Sequence, residues 1–438
     1  MSKSDVCGNL HYLADELARG GQGVVFRTRD ADLAIKLPLD ASGQPDKSAD
    51  LLVRFQNIRV LPMPSRIPVS LPLAILRDEP GYVMRLLNGM KPFGVFDLDG
   101  RAKKALEERN AALPLWLTRI PDKEMALRLL HYSSTGSTRR RLFALSKCAS
   151  ILARLHSAGL VYGDISTNNA FIGEGSSRDV WLIDADNMRF ELPIGGISVY
   201  TRGYGAPEVV RNTDSSRPRS DCWAFAVMAF KILALCHPFI GKMVLEPEHD
   251  EGGWDAEPKE DGTLADLDER AYAGYLPFVD DESDDANQGV GGLPRQLVAT
   301  PGLRLLFQDT FGRGRDHPHR RPAMGFWALE LAKAVDHSLE CHECKMSYFF
   351  DDRSACPYCG APRPAFIRAK TSRWKVLIPG GATEFGLSHR LFHPFSFEYN
   401  DDAEFEAVLN FAAKTAFPVR GTEAFPDTLT FDFVEGEK

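Results

Sequence analysis

The alternation of apolar and polar positions predicts a strand-rich first part of the chain. Residues 11–36 have the pattern of two strands around a glycine-rich turn, followed by a third strand, DLAIKLPL. The stretch GYVMRLL at 81–87 has the same strand character. Apolar residues at helical spacing over 50–61 predict one helix. We therefore expect a small sheet with one helix in this part.

Further along the chain the apolar spacing becomes helical. The segment 139–159 carries apolar residues largely on one helical face, namely Leu142, Leu145, Ile151, Leu152 and Leu155. The nearly continuous apolar run at 222–236 predicts a buried helix, and 303–335 returns to a helical pattern. The runs WKVLI and TLTFDFV predict strands after about residue 361. These patterns together predict an α+β chain.

Length and charge narrow the class of protein. A chain of 438 residues exceeds what one core normally holds, so two or three domains are expected. Lysine and arginine total 52 against 60 aspartate and glutamate residues, a net charge of −8 that disfavours broad nucleic-acid binding. The N-terminus lacks the apolar core of a signal peptide, and the run at 222–236 is too short to span a bilayer. We expect a cytoplasmic protein without membrane association.

Glycines and a lysine in the first part are candidates for phosphate binding. The stretch ARGGQGVVF places Ala18, Gly20, Gly23 and Val25 around the predicted turn. Glycine lets backbone N–H groups approach phosphate oxygens, although a tight hairpin alone would also explain these glycines. Lys36 ends the apolar strand LAIK, where its ammonium group could pair with phosphates or protect a sheet edge from aggregation.

Three polar residues further on have the chemistry of a magnesium site. In GLVYGDISTNNAFIG, at 159–173, Asp164 is followed five residues later by Asn169, and Asp184 comes directly after an apolar strand. Carboxylate and amide oxygens are ligands that Mg²⁺ accepts, and one carboxylate can orient an attacking hydroxyl. Each residue on its own could be only a turn residue or a helix cap.

Taken in order, these motifs resemble the eukaryotic-like protein kinase family. That family has the pattern G-x-G-x-x-G-x-V, A-x-K, H-R-D-x-x-x-x-N and D-F-G. The resemblance continues with Ala-Pro-Glu ending at Glu208, and with SDCWAFAV, where Asp221 and Trp223 match D-x-W. It implies that Asp221 braces the catalytic loop and that Glu208 pairs with Arg321.

The resemblance implies an ATP- and Mg²⁺-dependent protein kinase. Lys36 would position the α and β phosphates, Asp164 would orient the substrate hydroxyl, and Asn169 and Asp184 would hold Mg²⁺. Thr201, before the Ala-Pro-Glu segment, favours Ser/Thr over Tyr as the substrate. The nucleotide-binding residues would be Ala18, Gly20, Gly23, Val25, Ala34, Lys36, Met84 and Leu86, with Met84 as the gatekeeper.

The sequence also departs from the kinase pattern. Tyr162-Gly163-Asp164 replaces H-R-D, so the arginine that receives an activation-loop phosphate is missing, and activity should not require that phosphorylation. Asp-Ala-Asp replaces D-F-G, which removes the packed aromatic residue.

The helix glutamate that pairs with the lysine in the family is also missing here. The apolar pattern aligns Asn57 or Gln56 with its position. Either Asp50 substitutes for it or Lys36 is held less firmly. This departure is the main reason to consider a pseudokinase scaffold.

Four cysteines form a separate candidate site. In CHECKMSYFFDDRSACPYCG, Cys341, Cys344, Cys356 and Cys359 form two C-x-x-C pairs, and Gly360 permits a left-handed turn. Four thiolates at this spacing predict a closed tetrahedral Zn²⁺ site, and the segment resembles a zinc ribbon. A redox dithiol is the rival interpretation, and His342 could replace one ligand.

The predicted architecture is a bilobal kinase-like fold followed by two small modules. The predicted segments are a β-rich N-lobe at 10–90, a helical C-lobe at 91–336 with an acidic insertion at 246–285, a zinc ribbon at 338–362 and a β-rich module at 363–438. The insertion holds sixteen acidic and two basic residues, and it is either a solvated segment or an attractor for a basic partner.

The architecture also suggests partners. A divergent kinase with a zinc ribbon resembles bacterial kinases of phosphorylation triads, which include a von Willebrand A-domain protein and a PP2C phosphatase and are in part associated with tellurite resistance. Protein substrates are implied. The alternative from another class is a protein- or nucleic-acid-binding module that acts through the zinc ribbon.

Overall fold

The computed structural model resolves the chain into two compact units. It describes residues 1–20, 23–40, 42–108, 113–175, 177–191, 199–246, 266–289, 291–394, 403–419, 425 and 428–437. The first unit comprises residues 1–94, 154–201 and 214–221, and the second comprises 95–153, 202–213 and 222–438.

A curled six-stranded antiparallel sheet dominates the first unit. Its strands are β1 Ser2–Ser4, β2 Leu10–Gly20, β3 Gly23–Thr28, β4 Leu33–Pro38, β5 Pro72–Ile75 and β6 Tyr82–Arg85, with α1 Ala49–Arg59 between β4 and β5. The strand order is β1-β2-β3-β4-β6-β5. Ile35, Leu76 and Val83 form part of its apolar core. The predicted hairpin, third strand, helix and fourth strand are confirmed.

Short strands frame the two polar segments of the first unit. They are β7 Met90–Pro92, β8 Leu160–Val161, β9 Ala170–Gly173, β10 Val180–Leu182 and β11 Arg189–Phe190. Strands β10, β9 and β7 form one small sheet, and β11 pairs with β8. The loop 162–169 therefore runs between β8 and β9, and the turn 183–188 runs between β10 and β11.

Helices dominate the middle of the chain. They are α2 Gly100–Glu108, α3 Lys123–Ser134, α4 Ser137–Ser157, α5 Pro207–Val210, α6 Pro218–Ala234, α7 Lys242–Leu245, α8 Leu267–Tyr272, α9 Arg295–Val298, α10 Pro301–Gln308, α11 Gly314–Asp316 and α12 Met324–Asp336. A π-helical turn, Asp309–Arg313, joins α10 to α11. The predicted helices at 139–159 and 222–236 correspond to α4 and α6.

Burial explains why α6 has no polar face. In the second unit Trp223 packs against Phe239 and Phe311, with ring centroids 5.2 Å apart in both pairs. Phe230 from the same helix contacts Phe278 and Phe307. Aromatic contacts around the helix favour an apolar residue at almost every position.

Two three-stranded sheets complete the second unit after a short hairpin. The strands are β12 Ser338–Glu340, β13 Ser347–Phe349, β14 Phe366–Lys370, β15 Lys375–Pro379, β16 Glu384–Ser388, β17 Ala403–Asn410, β18 Thr415–Pro418 and β19 Thr430–Val434. The sheets β15-β14-β19 and β16-β17-β18 share a core that contains Ile367, Ile378 and Leu409. Trp374 donates its indole N–H to Asp336 at the end of α12, over 2.8 Å. The strands predicted from WKVLI and TLTFDFV are confirmed.

Nearly half of the predicted acidic insertion, residues 247–265, lies outside the described residues. In the part described, several acidic side chains have local structural roles. Asp266 accepts hydrogen bonds from the backbone N–H groups of Asp268 and Glu269 and so caps α8. Asp281 accepts one from Ser283.

Across the described ranges, no helix is both long enough and apolar enough to cross a bilayer. The chain is a mixed α/β protein with a curled N-terminal sheet, a helical middle and a four-cysteine cluster. The kinase-like fold and its domain boundaries stay predictions.

Candidate active site and metal centre

Lys36 on β4 lies between two carboxylates of the turn 183–188. Its side chain is 6% exposed and forms an ion pair with Asp184, while its Nζ lies 2.7 Å from Oδ2 of Asp186. Tyr82 lies opposite Lys36 in the sheet and donates its hydroxyl to Oδ1 of Asp186 over 2.6 Å. Strand β4 and the turn 183–188, which are far apart in sequence, thus meet in one buried charge cluster.

Burial and mutual attraction shift the pKa values of Lys36 and Asp184. Burial disfavours the charge of Lys36, but Asp186 and Asp184 outweigh it and raise the lysine pKa. Burial raises the pKa of Asp184 to about 6, although Lys36 opposes this shift. Asp184 also has a φ of 59°, an uncommon backbone conformation for a residue other than glycine. A carboxylate that burial has made costly to ionise is well suited to an added cation.

Asp164 is the centre of a second polar group in the same unit. Thr201 donates its hydroxyl to Oδ1 of Asp164 over 2.8 Å. The Asn169 side-chain N–H₂ group donates to the Asp164 carbonyl at 2.8 Å and to Oδ2 at 3.1 Å. Because the amide nitrogen makes these bonds, the amide oxygen of Asn169 is the atom that a cation could use.

The two groups affect each other electrostatically. Burial raises the pKa of Asp164, while the hydrogen bonds from Thr201 and Asn169 and the charge of Lys36 partly oppose this. The charge of Asp164 in turn is a minor contributor to the raised pKa of Asp184, after burial. The two groups are also in direct contact, because the backbone N–H of Ile183, next to Asp184, donates to the Asn169 carbonyl over 2.9 Å.

Asp221 holds the backbone that carries Asp164. Its carboxylate accepts the N–H of Tyr162 at 2.8 Å and the N–H of Gly163 at 2.9 Å. His156 also lies 3.0 Å from this carboxylate. The predicted bracing contact is therefore present. Gly163 stands where the H-R-D pattern has arginine. Its φ is 89°, and a Cβ there would lie 3.2 Å from the carbonyl oxygen of Asn187, so this backbone position favours glycine over arginine.

The predicted nucleotide-binding residues lie on or next to neighbouring strands of the six-stranded sheet. Ala18 and Gly20 end β2 and are exposed, while Gly23 and Val25 begin β3. A Cβ on Gly23 would come within 2.8 Å of the Leu37 carbonyl oxygen, so glycine permits the close approach of β3 to β4. At Gly20 a side chain would meet open space.

The remaining predicted nucleotide-binding residues lie on β4, on β6 and directly after β6. Ala34 and Met84 are opposite each other and buried. The backbone N–H of Leu86 donates to the Asp32 carbonyl over 2.8 Å.

Helix α1 supplies an arginine to this site, where the kinase pattern has a glutamate. Arg54 donates to the carbonyl oxygen of Asp186 over 2.6 Å and to the side chain of Asn187. Gln56 and Asn57 are exposed. In the part of the chain that the structure describes, the ion-pair partners of Lys36 are Asp184 and Asp186.

Sequence reasoning missed three residues of this cluster: Tyr82, Asp186 and Arg54. The second aspartate of Asp-Ala-Asp was the signal that could have identified Asp186.

Arg321 and Glu208 form a buried ion pair in the second unit. Nη1 and Nη2 of Arg321 donate to the two carboxylate oxygens of Glu208, each over 2.7 Å. The predicted pair is therefore confirmed as a contact. Glu208 lies at the start of α5, so this ion pair fixes the position of the segment that follows Thr201.

The four cysteines of the two C-x-x-C pairs converge in the second unit. Their Sγ atoms all lie within 4.8 Å of one another, with 3.5 Å between Cys341 and Cys359 and 3.7 Å between Cys344 and Cys356. A tetrahedral site with metal–sulfur bonds of about 2.3 Å has sulfurs about 3.8 Å apart, so the spacing fits a tetrahedral metal ion. The four cysteines could hold such an ion.

Each of the two C-x-x-C pairs lies in a tight backbone turn. The N–H of Lys345 donates to the Cys341 carbonyl and that of Gly360 to the Cys356 carbonyl, and both donors have positive φ, 57° and 76°. Hydrogen bonding from Cys344 lowers the pKa of the Cys356 thiol to about 5. His342 is half exposed and faces Glu343, outside the cluster.

No protein-family model matches this sequence, and no curated protein matches it. The features of this chain that bear on function are the geometry of its two polar groups and its cysteine cluster.

Proposed function

We propose that the chain is an ATP- and Mg²⁺-dependent protein kinase that phosphorylates Ser or Thr hydroxyls. The observation that carries this proposal is the buried ion pair between Lys36 and Asp184. The turn of Asp184 also contacts the loop of Asp164, because the backbone N–H of Ile183 donates to the Asn169 carbonyl over 2.9 Å. Phosphoryl transfer requires positioning and charge neutralisation more than covalent chemistry. A buried cation, a metal-binding carboxylate and a second carboxylate supply these requirements.

Each residue has a distinct part in the proposed transfer. Lys36 would pair with the α- and β-phosphate oxygens of ATP. Asn169 and Asp184 would hold Mg²⁺, and the ion would neutralise phosphate charge. The substrate hydroxyl oxygen bonds to the γ-phosphorus while the bond from that phosphorus to the β–γ bridging oxygen breaks, and ADP leaves. Asp164 accepts the hydroxyl proton. Thr201 orients Asp164 through its 2.8 Å hydrogen bond.

The test is transfer of labelled phosphate from ATP to the chain itself and to a basic protein substrate. Wild type should incorporate label only with Mg²⁺, and Asp164→Asn and Asp184→Asn should lose nearly all of it. Asp78→Asn, at an exposed aspartate outside the site, is the matched control and should behave as wild type. No incorporation by wild type, together with no rise in melting temperature with ATP, would favour the pseudokinase scaffold.

For the cysteine cluster we propose a structural Zn²⁺ ion in a zinc ribbon. Four thiolates close the coordination sphere, so the ion would stabilise the fold and leave no position for a substrate. The strands β12 and β13 have only three residues each, and metal binding adds folding free energy to such a small module. Thiolate metal ligands must be reduced, so the proposed ion is consistent with the proposed cytoplasmic location.

For partners we propose protein substrates, with a von Willebrand A-domain protein and a PP2C phosphatase as the first candidates. What supports this proposal is the combination of the kinase-like motifs with the four-cysteine segment in one chain. Phosphorylation of a purified A-domain protein, and its reversal by the phosphatase, would test it.

A further inference from the structure

We propose that Asp186 is the anion that positions Lys36 for nucleotide binding, in place of an acidic residue on helix α1. The inference rests on the proposed function, because it assigns a positioning residue to that same site. Asp186 occupies the third position of Asp-Ala-Asp, where the kinase pattern has a glycine.

Both oxygens of the Asp186 carboxylate are engaged. Oδ2 lies 2.7 Å from Nζ of Lys36, and Oδ1 accepts the Tyr82 hydroxyl over 2.6 Å. The Asp186 side chain is 8% exposed. Because Lys36 and Tyr82 are opposite each other on β4 and β6, the register of the sheet sets the distance between the two groups that hold Asp186.

Helix α1 reaches the same residue from the other side. Arg54 donates to the Asp186 carbonyl oxygen over 2.6 Å. The neighbouring Phe55 packs edge-on against Tyr82, with ring centroids 5.0 Å apart. The helix is therefore tied to the turn by a cation, and the turn supplies the anion that the lysine needs. Asn57 can therefore be exposed, because Arg54 and not Asn57 connects helix α1 to the turn 183–188.

Asp186 also relieves a conflict at Asp184. In the proposed function Asp184 binds Mg²⁺, yet in the structure it forms an ion pair with Lys36. A buried ammonium group without an opposite charge is strongly disfavoured, so a lysine with Asp184 as its sole partner would compete with the metal. Asp186 gives Lys36 a second anion and leaves Asp184 available to Mg²⁺.

The test is a double-mutant cycle on nucleotide binding by the full chain. Asp186→Asn removes the charge but keeps an oxygen that can accept the Tyr82 hydroxyl. The dissociation constant for Mg-ATP is measured in wild type, Asp186→Asn, Lys36→Met and the double variant. Asp186→Asn should weaken binding roughly tenfold, and in the Lys36→Met background it should add almost nothing, because the two residues act as one unit. Asp78→Asn is the control for loss of a negative charge.

The magnesium dependence of binding gives a second readout. Wild type should bind Mg-ATP more tightly than ATP in EDTA, and Asp186→Asn should lose most of this difference, because Lys36 then stays on Asp184. A purely structural role for Asp186 would weaken binding equally with and without Mg²⁺.

The outcomes separate this inference from the proposed function. Two results would overturn the role of Asp186 and leave the proposed function intact. In the first, Asp186→Asn binds Mg-ATP as tightly as wild type. In the second, the loss of affinity in the double variant is the full sum of the losses in Asp186→Asn and Lys36→Met. Wild type that binds no nucleotide would overturn the proposed function as well. If Asp186→Asn fails to fold, Tyr82→Phe replaces it in the cycle, with an expected loss of about twofold to fivefold that is absent in the Lys36→Met background.

Discussion

Arg321 donates two parallel hydrogen bonds of 2.7 Å to the carboxylate of Glu208, and the Arg321 side chain is 0% exposed. The guanidinium group also donates to the Gly314 carbonyl and lies over the Trp223 ring, 4.9 Å from its centroid. Such a pair is costly to break, because removal of one partner leaves an uncompensated charge in the interior.

Glu208→Gln should therefore lower the stability of the chain. The variant removes the negative charge that faces Arg321, and the expected loss is about 3–5 kcal/mol in the free energy of unfolding. The measurement is the urea midpoint followed by tryptophan fluorescence. Glu16→Gln, which disrupts the exposed pair with Arg19, is the matched control and should change stability by less than about 0.5 kcal/mol. Equal midpoints for Glu208→Gln and wild type would contradict the prediction.

His237 should make stability fall in acid. Nδ1 of its ring accepts the N–H of Phe239, and Nε2 faces the Gly203 carbonyl at 2.9 Å, so the neutral ring fits and a second ring proton does not. Burial lowers the pKa of His237 from 6.5 to about 3, and the nearby Lys231 adds to this. Below pH 6.5 the unfolded chain binds a proton that the folded chain does not.

The resulting contribution has a definite sign and size. Stability from His237 is fully present above pH 6.5 and decreases by about 1.4 kcal/mol per pH unit as the pH falls toward 3. Between pH 7 and pH 5 the loss from this residue is about 2 kcal/mol. Urea midpoints at both pH values should differ less in His237→Gln than in wild type. An unchanged difference would show that His237 is not the titrating group.

Thr201 should affect turnover more than nucleotide binding. Its hydroxyl donates to Oδ1 of Asp164 and contacts no phosphate group in the proposed mechanism. Thr201→Val should reduce kcat roughly tenfold to a hundredfold, and the KM for ATP should stay nearly constant. Thr201→Ser retains the hydroxyl and is the matched control. A parallel rise in the KM for ATP in Thr201→Val would argue for a general loss of structure.

Metal content should depend on the four clustered cysteines alone. Wild type should carry one Zn²⁺ per chain, and Cys356→Ser should lose it, because three thiolates bind the ion far less tightly. Cys7→Ser, at an exposed cysteine outside the cluster, should retain the metal. Elemental analysis of the purified variants gives the result. Chelation of the wild-type ion should lower the melting temperature of the second unit, whereas a redox dithiol would respond to oxidant and not to chelator.

Local patterns were sufficient for much of the fold. Alternating and β-branched residues predicted β3 and β4, and apolar spacing predicted α1, α4 and α6, because a strand or helix must bury one face. The C-x-x-C spacing similarly identified all four members of the cysteine cluster, since ligands on one knuckle are close in sequence. Patterns of this kind operate over a few residues, so the sequence alone carries them.

The tertiary structure decided which charges meet. Lys36 and Asp184 are separated by 148 positions. A pattern of a few residues around β4 therefore cannot show that Asp184 or Asp186 contacts Lys36. Helix α1 buries Phe55 and Ile58, but the apolar spacing that predicted this helix could not show that Arg54 would bind the turn or that Asn57 would be exposed. Burial makes each charge depend on the partner that packing brings to it, and packing is a property of the whole unit. The sequence by itself therefore determined the main elements and the first candidate residues, and the fold decided which charged partners meet around Lys36.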